Sequence, residues 1–514
     1  MLLGLDVGTS ALKGVVIEPS GRVIAVESTG YPVARPHPGW SEQDPMLWWH
    51  AARDVVARLG AHLPAGSIEA IGLSGQMHGL VLLDDQALAS GGGEIPALRP
   101  ALLWNDQRTA NQCLEIERRA GGRAALVEKV GNAALTGFTL PKILWVREHE
   151  PALFARVRTM MLPKDYLRLC LTGEAATDVG DAAGTLLFDI DRRRWHATMA
   201  AEFSLDPALL PRVKESAEVA GVLTPRVASL LGLRAGIPVI AGSGDNQAGA
   251  VGAGIVDEGL ILATIGTSGV VYAHSARPDR DLGDPAVPGR LHTMCAADGS
   301  MDRPGHWSLT GCTLSAGGAL AWARDLLAPG VPFDTLVEEA MAAPPGARGL
   351  VFLPHLTGER CPHPDPWARG AWIGLTARHT RPDLIRAVIE GVTFTLGGIV
   401  GLMRDAGITI SRARVGGGGA RSPAWRQLLA DEFGVPLSLP TTEEGPAFGA
   451  ALLAGVGAGW WPTVREACAA TISDRETIDP RRSGEPGRDA AREVFRTLYD
   501  RLAGAMRALS DADT

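Results

Sequence analysis

An apolar run, a Gly-Thr-Ser turn and a second apolar run occur twice in this chain, about 260 residues apart. The first copy runs Leu2-Leu3-Gly4-Leu5-Asp6-Val7, then Gly8-Thr9-Ser10, then Ala11-Leu12-Lys13-Gly14-Val15-Val16-Ile17. The second runs Leu260-Ile261-Leu262-Ala263-Thr264-Ile265, then Gly266-Thr267-Ser268-Gly269, then Val270-Val271-Tyr272. Two apolar runs joined by so short a polar turn read as a hairpin, and recurrence at a long spacing points to two similar halves. Each turn offers backbone N–H groups and two hydroxyls, a small concavity for an anion. The copies differ where it matters chemically, with Asp6 in the first and Thr264 in the second. Two such turns facing one cleft could grip the phosphates of a nucleotide, and the single acid would hold the metal. Plain hairpins would not account for that asymmetry.

The chain has 514 residues, too many for one core, so two or three domains are expected. Hydrophobic residues make up 46% and charged residues 21%, an ordinary soluble balance. The net charge of −8, without a sustained basic stretch, argues against a nucleic-acid partner. The six cysteines form no C-x-x-C pair, which argues against zinc or redox motifs and fits a reducing compartment. Met1-Leu2-Leu3-Gly4-Leu5-Asp6 lacks a basic leader. No uncharged apolar run reaches the roughly 20 residues of a membrane span. The expectation is a soluble, cytoplasmic protein with no membrane partner.

The polar clusters between and after the turns sit at the ends of apolar runs. Ile237-Pro238-Val239-Ile240-Ala241 reads as a buried strand, followed by Gly242-Ser243-Gly244-Asp245-Asn246-Gln247 and a small-residue helix. An acid at such a strand-to-helix turn lies where α/β proteins bind ligands, so Asp245 is the candidate for the chemistry; the alternative is an Asp-Asn helix cap. Gly75-Gln76-Met77-His78-Gly79 after a strand suits reading hydroxyls. Leu103-Trp104-Asn105-Asp106 offers a core Trp and a cap for the helix through Leu114 and Glu117. Leu162-Pro163-Lys164-Asp165-Tyr166 and Thr177-Asp178-Val179-Gly180-Asp181 read as structural polar turns. Gly416-Gly417-Gly418-Gly419 after a strand lets a flat ligand lie on bare backbone. Helices are expected over 383–395, 424–433 and 489–509, with an exposed charged loop over 474–488. The chain holds no G-x-x-x-x-G-K-[ST], no G-x-S-x-G and no H-E-x-x-H.

These motifs, in this order, resemble the FGGY family of carbohydrate kinases from Asp6 to about Gly457. Two family signatures are recognisable, Phe138-Thr139-Leu140-Pro141-Lys142-Ile143-Leu144-Trp145-Val146-Arg147-Glu148 and the stretch from Gly370-Ala371-Trp372-Ile373-Gly374-Leu375 to Leu384-Ile385-Arg386-Ala387-Val388-Ile389-Glu390. Trp40-Ser41-Glu42-Gln43-Asp44-Pro45, Gln76-Met77-His78, Leu162-Pro163-Lys164-Asp165-Tyr166 and Gly358-Glu359-Arg360 are similar to the family's bacterial xylulose-phosphorylating members. The resemblance implies an α/β fold of two actin-like (ribonuclease H-like) ATPase domains with a cleft between them. A sugar-binding domain would span 1–250, a nucleotide-binding domain 251–470, and a charged loop with a terminal helix 471–514. The implied reaction transfers the γ-phosphoryl of ATP, with Mg²⁺, to the 5-hydroxyl of D-xylulose. Another ketopentose, a pentitol or glycerol stay open as acceptors, as does a homodimer. A non-catalytic sugar- or ATP-binding regulator is the reading of another class, which the presence of both Asp6 and Asp245 disfavours.

By the same resemblance, Asp245 is the catalytic base and Asp6 the carboxylate that organises Mg²⁺, through water. Gln76, Met77, His78, Trp104, Asp245 and Asn246 would bind the sugar. Gly8, Thr9, Ser10 and Lys13, with Gly266, Thr267, Ser268 and Gly311, would bind the phosphates of ATP. Gly417, Gly418, Ala420 and Arg421 would hold its adenosine.

Overall fold

The computed structural model describes residues 1–442, 444–481 and 484–512. The repeat marks two sheets with one skeleton. In the first, Leu2–Val7 pairs antiparallel with Ala11–Ile17, which pairs with Val23–Gly30. The other edge of Leu2–Val7 takes Ala70–Gly75 in parallel. In the second, Gly259–Ile265 pairs antiparallel with Gly269–Ser275, which pairs with Trp307–Thr313. The other edge of Gly259–Ile265 takes Ile410–Gly416 in parallel, followed by Leu437–Pro440. Each sheet has seven strands. The hairpin strands are apolar on nearly every residue because helices cover both faces of the sheets.

On one face of the first sheet, helix Pro45–Gly60 buries Trp48, Trp49 and Val55 against Leu3, Leu5 and Val7. Pro45 begins it and the Asp44 carboxylate accepts Met46 N at 3.0 Å, a sharply defined start. The opposite face is covered by a helix from the far end of the chain, Gly445–Gly457, whose Ala447, Phe448 and Ala451 share a core with Leu2, Val15 and Ile17. The approach is close because the strands offer glycines. A Cβ on Gly4 would lie 1.9 Å from the Ala447 carbonyl oxygen, and one on Gly72 would lie 1.8 Å from that of Ala450.

Helix Asp245–Gly252, which follows the first sheet, supplies Ala250 to a cluster with Tyr272, Leu260 and Leu262 on the second sheet. After the last parallel strand of each sheet comes a helix that reaches toward the other half, and the two helices touch. A Cβ on Gly449 would sit 1.8 Å from the Ala248 carbonyl oxygen, and one on Gly252 would sit 2.4 Å from that of Gly445. Helix Arg381–Asp405 covers the second sheet with Ile385, Val388, Val392 and Ile399. It is long and apolar enough to cross a bilayer, but 78% of its apolar stretch is buried inside the protein.

Some local expectations change. The charged stretch expected as a loop over 474–488 contains a strand, Asp474–Ile478, at the edge of the second sheet. Its acids are anchored by cations of that domain, Arg414 on Asp474 at 2.9 Å and Arg426 on Glu476 at 2.8 Å. Residues 482 and 483 of that stretch lie outside the described residues. The last helix is longer than expected, Pro486–Ala512. Asn105 and Asp106 cap no helix, since that helix starts later, at Ala110. The Asp106 carboxylate instead accepts Ser41 N at 2.7 Å and Arg108 Nη2 at 2.7 Å. The stretch after Leu162 is no turn but the start of a fully buried helix, Pro163–Thr172.

The helix crossing gives a stability prediction. Gly449→Ala puts a methyl where the Ala248 carbonyl stands, so it should cost roughly 1–3 kcal/mol, the usual scale of overpacking. Thermal unfolding should show a lowered Tm. An unchanged Tm would mean that the two helices part without cost.

Candidate active site

The register of the first sheet brings two acids together. Asp6 pairs with Ser74 on the parallel strand, and Ser243 pairs with the same Ser74 from the other side. Two residues on, Asp245 is the first residue of its helix. Gly244 holds the capping position, without a side-chain cap, so the Asp-Asn cap reading does not apply. Burial, and then the charge of Asp6, push the Asp245 carboxyl up to about 7. Burial pushes Asp6 up to about 6, opposed by the neighbouring Ser74 hydroxyl and the charge of Lys13. Asp6 Oδ1 is buried without a hydrogen-bond partner. Two carboxyls that feel each other, with one oxygen open, make a site for a cation or a proton.

The first Gly-Thr-Ser turn is held by its oxygens. Tyr31 Oη donates to Gly8 O at 2.6 Å and Gln76 Nε2 donates to the same oxygen at 3.3 Å. Gln43 Nε2 donates to Thr9 O at 3.1 Å, and Trp104 Nε1 to Thr9 Oγ1 at 2.9 Å. The second turn rests on the helix Gly317–Leu327, whose first N–H groups donate to Thr267 O and Gly266 O at 2.8–3.0 Å. Thr9 is half-buried and Thr267 exposed at the tips. Lys13 reaches across the molecule to an ion pair with Glu444, at the start of the helix Gly445–Gly457.

A cavity of about 840 Å³ opens between the halves. Asp245, Asn246 and Gly249 line it from one interdomain helix, Thr264 and Tyr272 from the second hairpin, and Gly416, Gly417, Gly418, Ala420 and Arg421 from the glycine-rich loop. Gly417 has φ +83°, and a Cβ there would lie 2.5 Å from the Ile265 carbonyl oxygen, so this approach is open only to glycine.

On the first-domain side, Asn246 Nδ2 lies 3.7 Å from Met77 Sδ. His78 holds a left-handed φ of 65° and packs its ring 4.4 Å from that of Phe138. Its Nδ1 lies 3.0 Å from Gly184 O. A carbonyl only accepts, so Nδ1 carries the proton and Nε2 is left as an acceptor. Burial, with the charges of Lys142 and His292, holds His78 well below its ordinary value, hence neutral.

Of the expected residues, Asp245, Asn246, Gly417, Gly418, Ala420 and Arg421 line the cavity, and two others are committed elsewhere. Gln76 is fully buried and committed to the first turn and to Gln43. Gly311 is buried inside the second sheet, where a Cβ would meet Ile399 and Leu291, and it does not line the cavity. Sequence reasoning also passed over a buried charge cluster. Lys164 Nζ lies 2.7 Å from Asp165, 2.6 Å from Asp178 and 3.2 Å from Asp181, all fully buried. Asp178 Oδ2 accepts Ser243 Oγ at 3.0 Å, so this cluster fixes the strand that delivers Asp245. The signal was present, since Lys164, Asp178 and Asp181 stood in two stretches read as plain turns.

Similarity to known proteins runs along the whole chain. The FGGY family of carbohydrate kinases matches twice, its N-terminal domain over residues 1–252 and its C-terminal domain over residues 261–458. The xylulose kinase of Bacillus subtilis is 37% identical over 515 residues, 100% of this chain and 98% of that protein. The xylulose kinase of Escherichia coli is 39% identical, over 98% of this chain and 100% of that one. A ligand-bound xylulose kinase structure from Lactobacillus acidophilus superposes with a TM-score of 0.91 at 25% identity, covering 99% of each chain.

The raised carboxyl gives a second stability prediction. The folded protein binds the Asp245 proton more tightly than the unfolded chain, whose Asp titrates near 3.9. The stability from that proton is complete below about pH 4 and is lost as pH rises through about 7. Asp245→Asn removes the penalty, so its Tm should exceed that of the wild type at pH 8, by about 2–4 °C per kcal/mol relieved. The gap should shrink toward pH 5. An Asn variant less stable than wild type at pH 8 would show that the carboxylate is held by favourable partners.

Proposed function

The chain belongs to the FGGY family of carbohydrate kinases, and on that premise we propose that it phosphorylates D-xylulose on its 5-hydroxyl, with Asp245 as the base. As a sugar kinase it uses ATP as phosphoryl donor. The choice of xylulose rests on relatives of that name along the whole chain and on Met77 and His78 standing beside Asn246. The observation that carries the mechanism is the buried pair, Asp245 with its carboxyl raised to about 7 by burial and by Asp6, on the wall of the cavity.

Phosphoryl transfer asks a protein for alignment, charge neutralisation and a base for the attacking hydroxyl. The two Gly-Thr-Ser turns, one from each domain, supply N–H donors for the phosphates. Gly417 and Gly418 supply bare backbone for the adenosine, and Lys13 a cation beside the cleft. Asp6 fits a Mg²⁺ ion, held through water, because its Oδ1 is buried without a partner. The ion's contribution, when bound, is to neutralise phosphate charge. Asp245 takes the proton of the sugar hydroxyl as the O–P bond forms. A base near 7 is well matched to that task at neutral pH. Neutral His78 offers Nε2 to a sugar hydroxyl, and Asn246 lies next to Met77 to bind another.

An ADP-coupled assay over D-xylulose, other ketopentoses, pentitols and glycerol tests the substrate. D-xylulose should give the highest kcat/KM, and a better pentitol or glycerol would overturn the choice. The base has its own signature. With xylulose varied, kcat/KM should fall tenfold per pH unit below about pH 7, because protonated Asp245 cannot accept the proton. Asp245→Asn should bind ATP and xylulose, and its kcat should fall roughly 10²-fold or more. A variant turning over like wild type would remove Asp245 from the chemistry.

A further inference from the structure

Arg360 carries a charge that no described residue of the protein neutralises. Its loop is firmly built. The buried Glu359 carboxylate accepts Thr313 Oγ1 at 2.6 Å, Leu314 N at 3.0 Å, His355 Nδ1 at 2.9 Å and Arg360 N at 2.8 Å. Thr313 pairs with Gly269, directly after the second Gly-Thr-Ser turn, so Arg360 is fixed to the second domain. Its guanidinium nevertheless reaches the first. Cζ lies 5.8 Å from the Trp104 ring centroid, and Nη2 lies 3.8 Å from where a Cβ on Gly137 would stand.

Among the described residues, the guanidinium has no hydrogen-bond or ion-pair partner, and it lies over the Trp104 face. Its neighbours cannot supply a counter-charge. Burial pulls His78 well down, His292 to about 3 and Lys142 to about 7, and the Arg360 charge adds to each. A planar fork of donors held rigidly, facing groups that carry no negative charge, is made for acceptor oxygens on a ligand.

The part of the ligand it meets follows from what surrounds it. Gly137 precedes Phe138, whose ring packs 4.4 Å from that of His78, and Lys142 Nζ donates to both Gly137 O and His78 O. Arg360 therefore stands on the His78 side, where the sugar is read. We propose that Arg360 is a specificity-determining residue that reads the sugar from the second domain, donating to its carbonyl and hydroxyl oxygens. The inference rests on the kinase reading above. The sugar then touches His78 on one domain and Arg360 on the other, so a bound acceptor ties the two halves together.

The test compares wild type, Arg360→Met and Arg360→Lys in the ADP-coupled assay. The wild type first shows xylulose-dependent ADP release; its absence would defeat the kinase reading, and xylulose titrated calorimetrically into wild type and variants would then still test Arg360. With the kinase reading in hand, Arg360→Met should raise the KM for xylulose roughly 10- to 100-fold, the scale of a lost charged hydrogen bond. The KM for ATP should stay within about twofold, and the acid limb of kcat/KM near pH 7 should not move. Arg360→Lys, which keeps the charge without the fork, should fall between, and it carries the same comparison if the Met variant fails to fold. An unchanged KM for xylulose overturns the proposal. So does an equal rise in both KM values, which means a purely structural loop, or a fall in kcat alone, which would assign Arg360 to the phosphoryl group.

Discussion

The structure depends on the contact between helices Asp245–Gly252 and Gly445–Gly457. Each follows the last parallel strand of one sheet and reaches toward the other half, so neither half completes its layers alone. Backbone lies on backbone at Gly449 and Gly252, and the strands below supply Gly4 and Gly72 for the same reason. The small residues Ala248-Gly249-Ala250 and Gly449-Ala450-Ala451 are those that permit this crossing. Its position matters for chemistry because Asp245 begins one of the two helices and Lys13 pairs with Glu444 beside the other. A change in the angle between the halves is therefore a change in the geometry of the base.

Around that crossing the protein places acids where burial opposes their ionisation. Asp6 and Asp245 are raised, and neither is relieved by an arginine or lysine in direct contact. The nearby Lys164 cluster shows the contrast. There Lys164 is met by three aspartates and Arg168 pairs with Asp165, so buried charge is matched by buried charge. One set is closed and holds the strand in place; the other is left open for a ligand. The same division holds at the cations, where Arg168 is matched and Arg360 is not.

Much of this was legible in the sequence, for physical reasons that can be traced. Apolar runs buried on both faces announce their strands, and a Gly-Thr-Ser turn between them leaves little choice but a hairpin. Asp245 stands out because an acid that follows a buried strand begins a small-residue helix, and that place is on the wall of the cavity. What could not be read was pairing between distant side chains. Gln76 looks like a sugar ligand in its local glycine frame, yet its amide is taken by Gly8 and Gln43, partners 68 and 33 residues away. Gly311 looks like another backbone approach, but its neighbours Ile399 and Leu291 place it in the core. The strand Asp474–Ile478 was hidden because its acids suggest solvent, while Arg414 and Arg426 wait for them on adjoining elements. Arg360 was visible as part of a motif, but its meaning needed Trp104, more than 250 residues earlier in the chain.

The place where the two halves break their likeness now has a physical reason. Thr264 occupies in the second hairpin the position of Asp6 in the first, and it lines the same cavity as Asp245. An acid at 264 would add a third carboxyl to a cleft where burial and Asp6 already raise Asp245, and a further like charge pushes it further up. Asp245 would then stay protonated at neutral pH and could not accept a proton from the sugar. A hydroxyl keeps a polar group toward the phosphates at no such cost. A duplicated fold that is to use one base can therefore keep the acid in only one of its two turns, and the side it keeps is the one whose strand lies beside Ser74 and Ser243, next to Asp245, the base proposed above.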